Sequence, residues 1–145
     1  MHVAVLNGPN LNLLGRREPH IYGSSTLHDI EQLVRSHAEQ RGVGLEWFQA
    51  NQEGALVDFV QDVSTRAAGA VVNAAAFSHT SIALRDALVG TGLPFVEAHL
   101  SNVLARESFR RRSVLADVAV GVVMGFGAAS YLLALDGLLD HLGHQ

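Results

Sequence analysis

Short apolar runs alternate with longer stretches of helical periodicity along most of this chain. The apolar runs predict five strands, at 2–6, 45–50, 70–74, 95–98 and 119–124. The longer stretches predict four helices, one between Thr26 and Gly42 and the others at 54–67, 81–89 and 128–142. Strands that alternate with single helices favour a parallel sheet covered on both faces.

The first predicted helix has recognisable signals at both ends. Thr26 can cap its amino terminus, Asp29 lies in its first turn, and Gly42 stands where a helix is expected to stop. The apolar positions that share helical spacing are Leu27, Ile30, Leu33, Val34 and Ala38. This spacing and the two end signals together predict a helix between Thr26 and Gly42.

Five strands in 145 residues fit one α/β domain across 1–145. We expect a flavodoxin-like, doubly wound parallel sheet in the order 2-1-3-4-5 with right-handed crossovers. In such sheets ligands bind beyond the carboxyl ends of the strands, where the winding reverses. The segments 7–23, 73–80 and 99–102 leave strands 1, 3 and 4 there, and polar residues cluster in them.

Composition removes several classes of chemistry. The chain has no cysteine, which excludes disulfides, thiolate nucleophiles and cysteine-ligated metal clusters. All ten basic residues are arginines, so no lysine is present to form an imine. A net charge of −4 makes the arginine cluster at 106–112 a poor nucleic-acid patch. The glycines at 125–127 lack the phosphate-loop and dinucleotide-binding patterns.

The amino terminus has no basic segment before an apolar stretch, and no run reaches the roughly 18 apolar residues that span a bilayer. We expect a cytoplasmic protein that binds no membrane. No pair of histidines has convincing metal spacing, so we expect no metal site.

The loop after the first strand holds the candidates for a base. Tyr22 could be a loop anchor that buries its ring, or a phenol whose pKa, near 10 in isolation, is lowered by Arg17 on the same loop. A phenol tuned in this way can act as a general base. Asn7 and Asn10 flank a Gly-Pro pair, where asparagine serves turns as readily as it binds a ligand.

The ends of strands 3 and 4 hold the other candidates. Glu97 and His99 are two positions apart on a strand and point to the same side, so Glu97 can hold one ring nitrogen while the other exchanges a proton. They could equally form a structural pair. Ser101 and the backbone N–H groups around it suit a carboxylate. Asn73 is either a helix cap or a ligand for a hydroxyl or water.

His79 and Asp86 lie seven positions apart, about two helical turns, and so on one face. They could form a buried structural pair. Alternatively, they could make a polar face that points into a pocket or across a subunit boundary.

Four segments together carry a resemblance to a known family. They are LNGPNLNLLGRREPHIYG at 6–23, NAAAFSHTSIALRDAL at 73–88, VEAHLSNVLARESFRRRS at 96–113 and GFGAASYLLAL at 125–135. In this order and spacing they resemble the type II 3-dehydroquinate dehydratases over nearly the whole chain. Small departures occur at Ala74, Ala75, Ser78, Ala98 and 128–130. None replaces a residue to which the resemblance gives a role, so we expect an active enzyme.

The resemblance implies trans-elimination of water from 3-dehydroquinate to 3-dehydroshikimate through an enolate, without a Schiff base. It makes Tyr22 the base, Arg17 its activator and Asn10 the ligand of a water facing the enolate. His99 becomes the acid, oriented by Glu97. The remaining matches bind substrate, with Asp86 reaching a neighbouring subunit's site; they are Asn73, His79, Asp86, Leu100, Ser101 and Arg110.

The resemblance also implies a small-molecule substrate, no cofactor and a homododecamer built of trimers. It places the enzyme in the shikimate pathway of aromatic amino-acid biosynthesis, although quinate catabolism uses the same step. Two alternatives remain at this point. One is a flavodoxin-like binding module, although Asn73 stands where a phosphoacceptor receiver needs aspartate. The other is a family paralogue that has lost activity.

Overall fold

The computed structural model describes residues 1–16, 20 and 24–144. Its five strands form one parallel sheet in the order β2-β1-β3-β4-β5, which confirms the predicted flavodoxin-like topology. The strands are β1 His2–Asn7, β2 Gly44–Gln49, β3 Gly69–Asn73, β4 Phe95–His99 and β5 Gly121–Met124. The α-helices are α1 Leu27–Gln40, α2 Glu53–Val63, α3 Ile82–Thr91 and α4 Ala129–His141.

Helix α1 begins as its sequence signals predict. The Thr26 side chain accepts a hydrogen bond from the Asp29 backbone, and the Asp29 carboxylate accepts one from the Thr26 N–H, so two donors at the helix end are satisfied. Ile30, Val34 and Ala38 are buried. Leu33 shares the helical spacing but is 49% exposed.

The two faces of the sheet have separate apolar cores, because successive side chains of a strand point to opposite sides. Val3 and Val5 of β1 belong to the core beneath α1 and α4. Ala4 and Leu6 belong to the core beneath α2 and α3. Helices cover both faces of the sheet and exclude water from the inner strands. The carboxyl ends of these strands are therefore the place where a ligand can reach them.

Two elements are shorter than predicted by more than one residue at an end. Helix α2 ends at Val63 rather than 67, because the hydroxyls of Ser64 and Thr65 donate to the carbonyls of Gln61 and Asp62 and favour a turn. Strand β5 begins at Gly121 rather than 119, since the backbone of 115–119 closes a short 3-10 turn. Neither difference alters the topology.

The loop after β1 is fastened to the end of β3 by a close backbone approach. The Gly8 N–H donates to the Asn73 carbonyl over 2.8 Å. A Cβ at position 8 would lie 2.2 Å from the carbonyl oxygen of Ala74, so only glycine fits there. This contact brings the segments that leave β1 and β3 to one edge of the sheet. Within the described ranges, no helix has the length and apolar character needed to cross a membrane.

Candidate active site

A cavity of about 200 Å³ opens at the carboxyl ends of β1, β3 and β4. This is the position that the doubly wound topology predicts for a ligand. The described residues that line it are Pro9, Asn10, Leu11, Leu14, Asn73, Ala75, Ala76, His79, His99, Leu100, Ser101, Val103, Arg106 and Arg110.

A carboxylate and an imidazole form a buried pair at the end of β4. The Nε2 atom of His99 hydrogen-bonds Oε2 of Glu97, and both side chains are at least nine-tenths buried. Oε1 of Glu97 accepts a hydrogen bond from the Ser113 hydroxyl over 2.8 Å. Nδ1 is therefore the ring nitrogen of His99 that Glu97 does not hold. Because His99 lines the cavity, the pair can exchange a proton with a bound molecule.

A neutral buried chain of hydrogen bonds supports the ends of β1 and β3. The Tyr131 hydroxyl of α4 donates to Oδ1 of Asn7 over 2.7 Å and accepts from Nδ2 of Asn73 over 2.9 Å. Asn7 in turn donates to the Phe48 carbonyl over 3.0 Å. Burial raises the pKa of the Tyr131 phenol above its ordinary value, so it stays protonated. These hydrogen bonds fix the orientation of the Asn73 amide.

Two residues beside the cavity have left-handed backbone conformations. Asn10 has a φ of 67°, and its N–H donates to Oδ1 of Asn51 over 3.0 Å. Ala75 has a φ of 51°, an uncommon conformation for a residue with a Cβ, and its N–H donates to Oδ1 of Asn73. Asn10 therefore adopts a turn conformation and also lines the cavity.

Arginines give the cavity wall a positive character. Arg106 and Arg110 both line it. Nε of Arg110 lies 3.0 Å from Oε2 of Glu107, and this guanidinium holds the pKa of Glu107 below its usual value. Arg106 also faces Glu107, over 3.6 Å. Guanidinium groups in a cavity wall suit an anionic ligand.

The structure brings most of the predicted site residues together. Asn10, Asn73, His79, His99, Leu100, Ser101 and Arg110 line the cavity, and Glu97 lies directly behind His99. Arg17 and Tyr22 lie outside the described residues. Asp86 is exposed and does not belong to the described wall of the cavity.

His79 and Asp86 do not form the buried pair that was one of their two expected arrangements. Nδ1 of His79 lies 2.8 Å from the Arg112 carbonyl oxygen, and Asp86 is exposed. Ser81 caps α3 by accepting from the Leu84 N–H, so His79 stands one turn before the helix and faces the cavity instead.

Three residues of the site escape sequence reasoning. The sequence places Arg106 in an arginine cluster and Tyr131 in the last helix, and neither pattern indicates a place in the site. Ser113 belongs to no pattern that indicates a role. The available signals are that Tyr131 lies inside motif 125–135 and that Ser113 lies inside motif 96–113. In the part of the chain that the structure describes, no group of three His, Cys, Asp or Glu side chains converges as a metal site would require.

Known sequences resemble this chain over almost its whole length. A family model described as "Dehydroquinase class II" matches residues 1–139. The chain is 62% identical over 142 residues to a protein named 3-dehydroquinate dehydratase from Parasynechococcus marenigrum, covering 98% of this chain and 97% of the relative. It is 57% identical over 145 residues to a protein of the same name from Prochlorococcus marinus, covering 100% and 97%.

Solved structures agree in fold. A type II dehydroquinase from Butyrivibrio crossotus superposes with a TM-score of 0.93 at 37% identity, covering 97% of each chain. One from Propionibacterium acnes superposes with a TM-score of 0.91 at 39% identity, covering 96% of each. With the sheet order, the cavity at its reversal point and these matches in agreement, the chain belongs to the class II dehydroquinase family.

Proposed function

We propose that the cavity binds 3-dehydroquinate and that the chain eliminates water from it in the trans sense, by an enolate route, to give 3-dehydroshikimate. The enzyme is a hydro-lyase, as are the 3-dehydroquinate dehydratases that it resembles. The observation that carries the mechanistic proposal is the buried Glu97–His99 pair at a cavity whose wall also holds amide and guanidinium groups. A general acid beside preorganised polar groups is what an elimination without an imine requires.

The acid half of the reaction falls to His99. In the second step the enolate electrons re-form the C3 ketone and a C1–C2 double bond, and they expel the C1 hydroxyl. That hydroxyl takes a proton from His99 and departs as water. Glu97 holds Nε2, which orients the ring and stabilises the imidazolium before transfer. A general acid of this kind contributes roughly 10²–10⁴-fold to the rate.

The base half of the reaction falls to Tyr22, with Arg17 as its activator. In the first step the Tyr22 phenolate removes a proton from C2, and the electron pair moves to the ketone oxygen. A phenol has a pKa near 10 in isolation, and a nearby guanidinium lowers it by favouring the charged form. Asn10, in the cavity wall, holds the water that faces the enolate oxygen.

The remaining wall residues hold the substrate. Asn73, His79 and Arg110 bind its ring hydroxyls, and Leu100 and Ser101 at the end of β4 receive its carboxylate. The Tyr131 hydroxyl takes one amide N–H of Asn73, so the Asn73 amide has a fixed orientation for a hydroxyl. The positive wall suits a substrate that carries one negative charge.

Assembly completes this proposal. Residues 1–145 act as one catalytic domain in the cytoplasm, in a homododecamer of trimers that needs no cofactor, metal, nucleic acid or membrane. Asp86 is exposed on α3 and does not belong to the described wall of the cavity of its own chain. In the oligomer it reaches the site of a neighbouring subunit.

An absorbance assay tests the reaction. Incubation with 3-dehydroquinate and a metal chelator is expected to produce an ultraviolet-absorbing conjugated enone. Tyr22→Phe is expected to abolish nearly all turnover while calorimetry still detects substrate binding, because the ring remains and only the proton acceptor is lost. No rise in absorbance with freshly prepared protein would contradict the activity. A Tyr22→Phe enzyme that turns over normally would remove the base assignment alone.

A further inference from the structure

The buried carboxylate behind His99 has a second partner that lies outside its own strand. Ser113 comes 16 positions after Glu97 in the chain, and its hydroxyl lies 2.8 Å from Oε1 of Glu97. The same hydroxyl oxygen lies 3.1 Å from the Leu115 backbone nitrogen. Glu97 is fully buried, so each of its oxygens depends on protein partners.

The direction of these hydrogen bonds follows from their donors. The Leu115 N–H can only donate, so the Ser113 oxygen accepts from it. The one hydrogen of the Ser113 hydroxyl is then available for Oε1 of Glu97, while Oε2 faces His99. A carboxylate that accepts on both oxygens is stabilised in its charged form.

The segment that carries Ser113 is fixed by neighbours on another element. The Val114 N–H donates to the Ser78 carbonyl over 2.7 Å, and the Arg85 guanidinium of α3 donates to the Val114 carbonyl over 2.8 Å. Leu115 is fully buried. The hydroxyl is therefore presented from a rigid support rather than from a free loop.

We propose that Ser113 is a positioning residue for proton donation: its hydroxyl keeps Glu97 charged and aligned on Nε2 of His99. The inference rests on the proposed function, in which His99 is the acid. It adds a third member to the pair, since the carboxylate orients the imidazole only while its own second oxygen is satisfied.

The charged groups that line the cavity beside His99 make the hydrogen bond from Ser113 to Glu97 important for the imidazolium. His79 comes from the segment after β3, and Arg106 and Arg110 come from the segment after β4. Two guanidinium groups disfavour a third positive charge nearby, so the imidazolium depends on the Glu97 charge. Without the Ser113 hydroxyl, Glu97 is a poorer counterion for the imidazolium.

Kinetics of Ser113→Ala and a matched control test the proposal. We expect kcat to fall about tenfold with KM changed less than twofold, and the alkaline limb of the kcat/KM profile to move down by about one pH unit. Ser113→Thr, which keeps a hydroxyl, is expected to restore the limb. Ser78→Ala is the control, because Ser78 is also a buried serine nearby but its hydroxyl has no partner among the described residues. It is expected to leave the limb unmoved.

A spectroscopic readout separates this inference from the proposed function. The ¹⁵N shifts of the His99 ring, assigned with a His99→Asn variant, are expected to change with pH at lower values in Ser113→Ala than in the wild type. Unchanged shifts together with an unmoved alkaline limb would overturn the role of Ser113, even in an active enzyme. If the wild type has no dehydratase activity, the proposed function fails while the ¹⁵N titration still decides the contact.

Folding defects do not remove the test. Should Ser113→Ala fail to fold, Ser113→Cys keeps the number of side-chain heavy atoms and replaces the hydroxyl by a weak donor, and it is expected to move the limb in the same direction. A Ser113→Cys enzyme with the wild-type limb and wild-type ¹⁵N titration would contradict the proposal.

Discussion

The sheet carries two histidine–glutamate pairs, and their surroundings differ completely. At the carboxyl end of β4, Nε2 of His99 meets Oε2 of Glu97 with 6% and 1% of the side chains exposed. At the amino end of β1, Nε2 of His2 lies 3.2 Å from Oε2 of Glu46 with 37% and 31% exposed. The same two functional groups are thus dry at one site and hydrated at the other.

The second partner of each carboxylate also differs. Glu97 is supported by the neutral hydroxyl of Ser113, whereas Glu46 is held by the Arg66 guanidinium over 2.6 and 2.9 Å. A neutral partner leaves the full charge of Glu97 to act on its histidine, whereas a permanent cation neutralises Glu46. Only the dry pair borders the cavity. The two pairs therefore differ in burial and in access to the cavity, and not in the functional groups that they contain.

The largest expected difference is in catalysis. His99→Asn removes the proton donor and is expected to lower kcat by about 10²–10⁴-fold. His2→Asn makes the same chemical change at the exposed pair and is expected to alter kcat less than twofold. Initial rates of enone formation at saturating substrate measure both. Comparable losses in the two variants would show that the pairs do not differ in function.

A second expected difference is in stability. Tyr131→Phe keeps the buried ring against Trp47 but leaves Oδ1 of Asn7 and Nδ2 of Asn73 without their phenol partner. An unsatisfied buried polar group costs about 1–3 kcal/mol, so the free energy of unfolding is expected to fall by about that amount. Urea unfolding followed by circular dichroism measures it.

The exposed Ser64 hydroxyl provides the control for that measurement. It donates to the Gln61 carbonyl over 2.9 Å at the surface, and Ser64→Ala is expected to change stability by less than about 0.5 kcal/mol. If Tyr131→Phe were equally mild, the buried hydrogen-bond chain at the ends of β1 and β3 would contribute nothing to stability.

Sequence reasoning succeeds where the physical signal is local. The cap at Thr26 depends on a residue three positions away, and the Glu97–His99 pair depends on the two-residue period of a strand. Both are confirmed as contacts, while the catalytic roles stay proposals. Local periodicity also has limits, since Leu33 fits the helical spacing of α1 but lies at the edge of its buried stripe and stays exposed.

The supporting contacts are missed because they join distant parts of the chain. Tyr131 and Asn7 are 124 positions apart, and their hydrogen bond exists only after α4 packs on the sheet. Ser113 reaches Glu97 from a segment without helical or strand periodicity, so no pattern indicates which way its hydroxyl points. Residues that line the cavity can be predicted from the strand ends, whereas those that hold them in place require the assembled fold.

The smallest expected effect belongs to the exposed pair and appears only in acid. Hydrogen bonds from Arg66 are the main cause that lowers the pKa of Glu46 from 4.5 to about 2, with His2 adding to the effect. A depressed carboxyl pKa contributes stability that is complete above the unfolded value of 4.5 and is lost as pH falls toward 2. Arg66→Met is expected to remove this contribution at neutral pH, and the loss is expected to be small because the ion pair is solvated.

Thermal unfolding between pH 6 and pH 2 checks this sign. The melting temperatures of the wild type and Arg66→Met are expected to differ at pH 6 and to converge as the pH falls from about 4.5 toward 2, where Glu46 takes up a proton first in the unfolded state and then in the folded state. Glu46→Gln is the matched variant, since it deletes the other half of the interaction, and adding Arg66→Met to it is expected to cost little more. A difference that does not shrink toward pH 2 would mean that Arg66 stabilises the fold through contacts that do not titrate, such as its 3.2 Å hydrogen bond to the Asp62 carbonyl, and that its ion pair with Glu46 contributes nothing measurable.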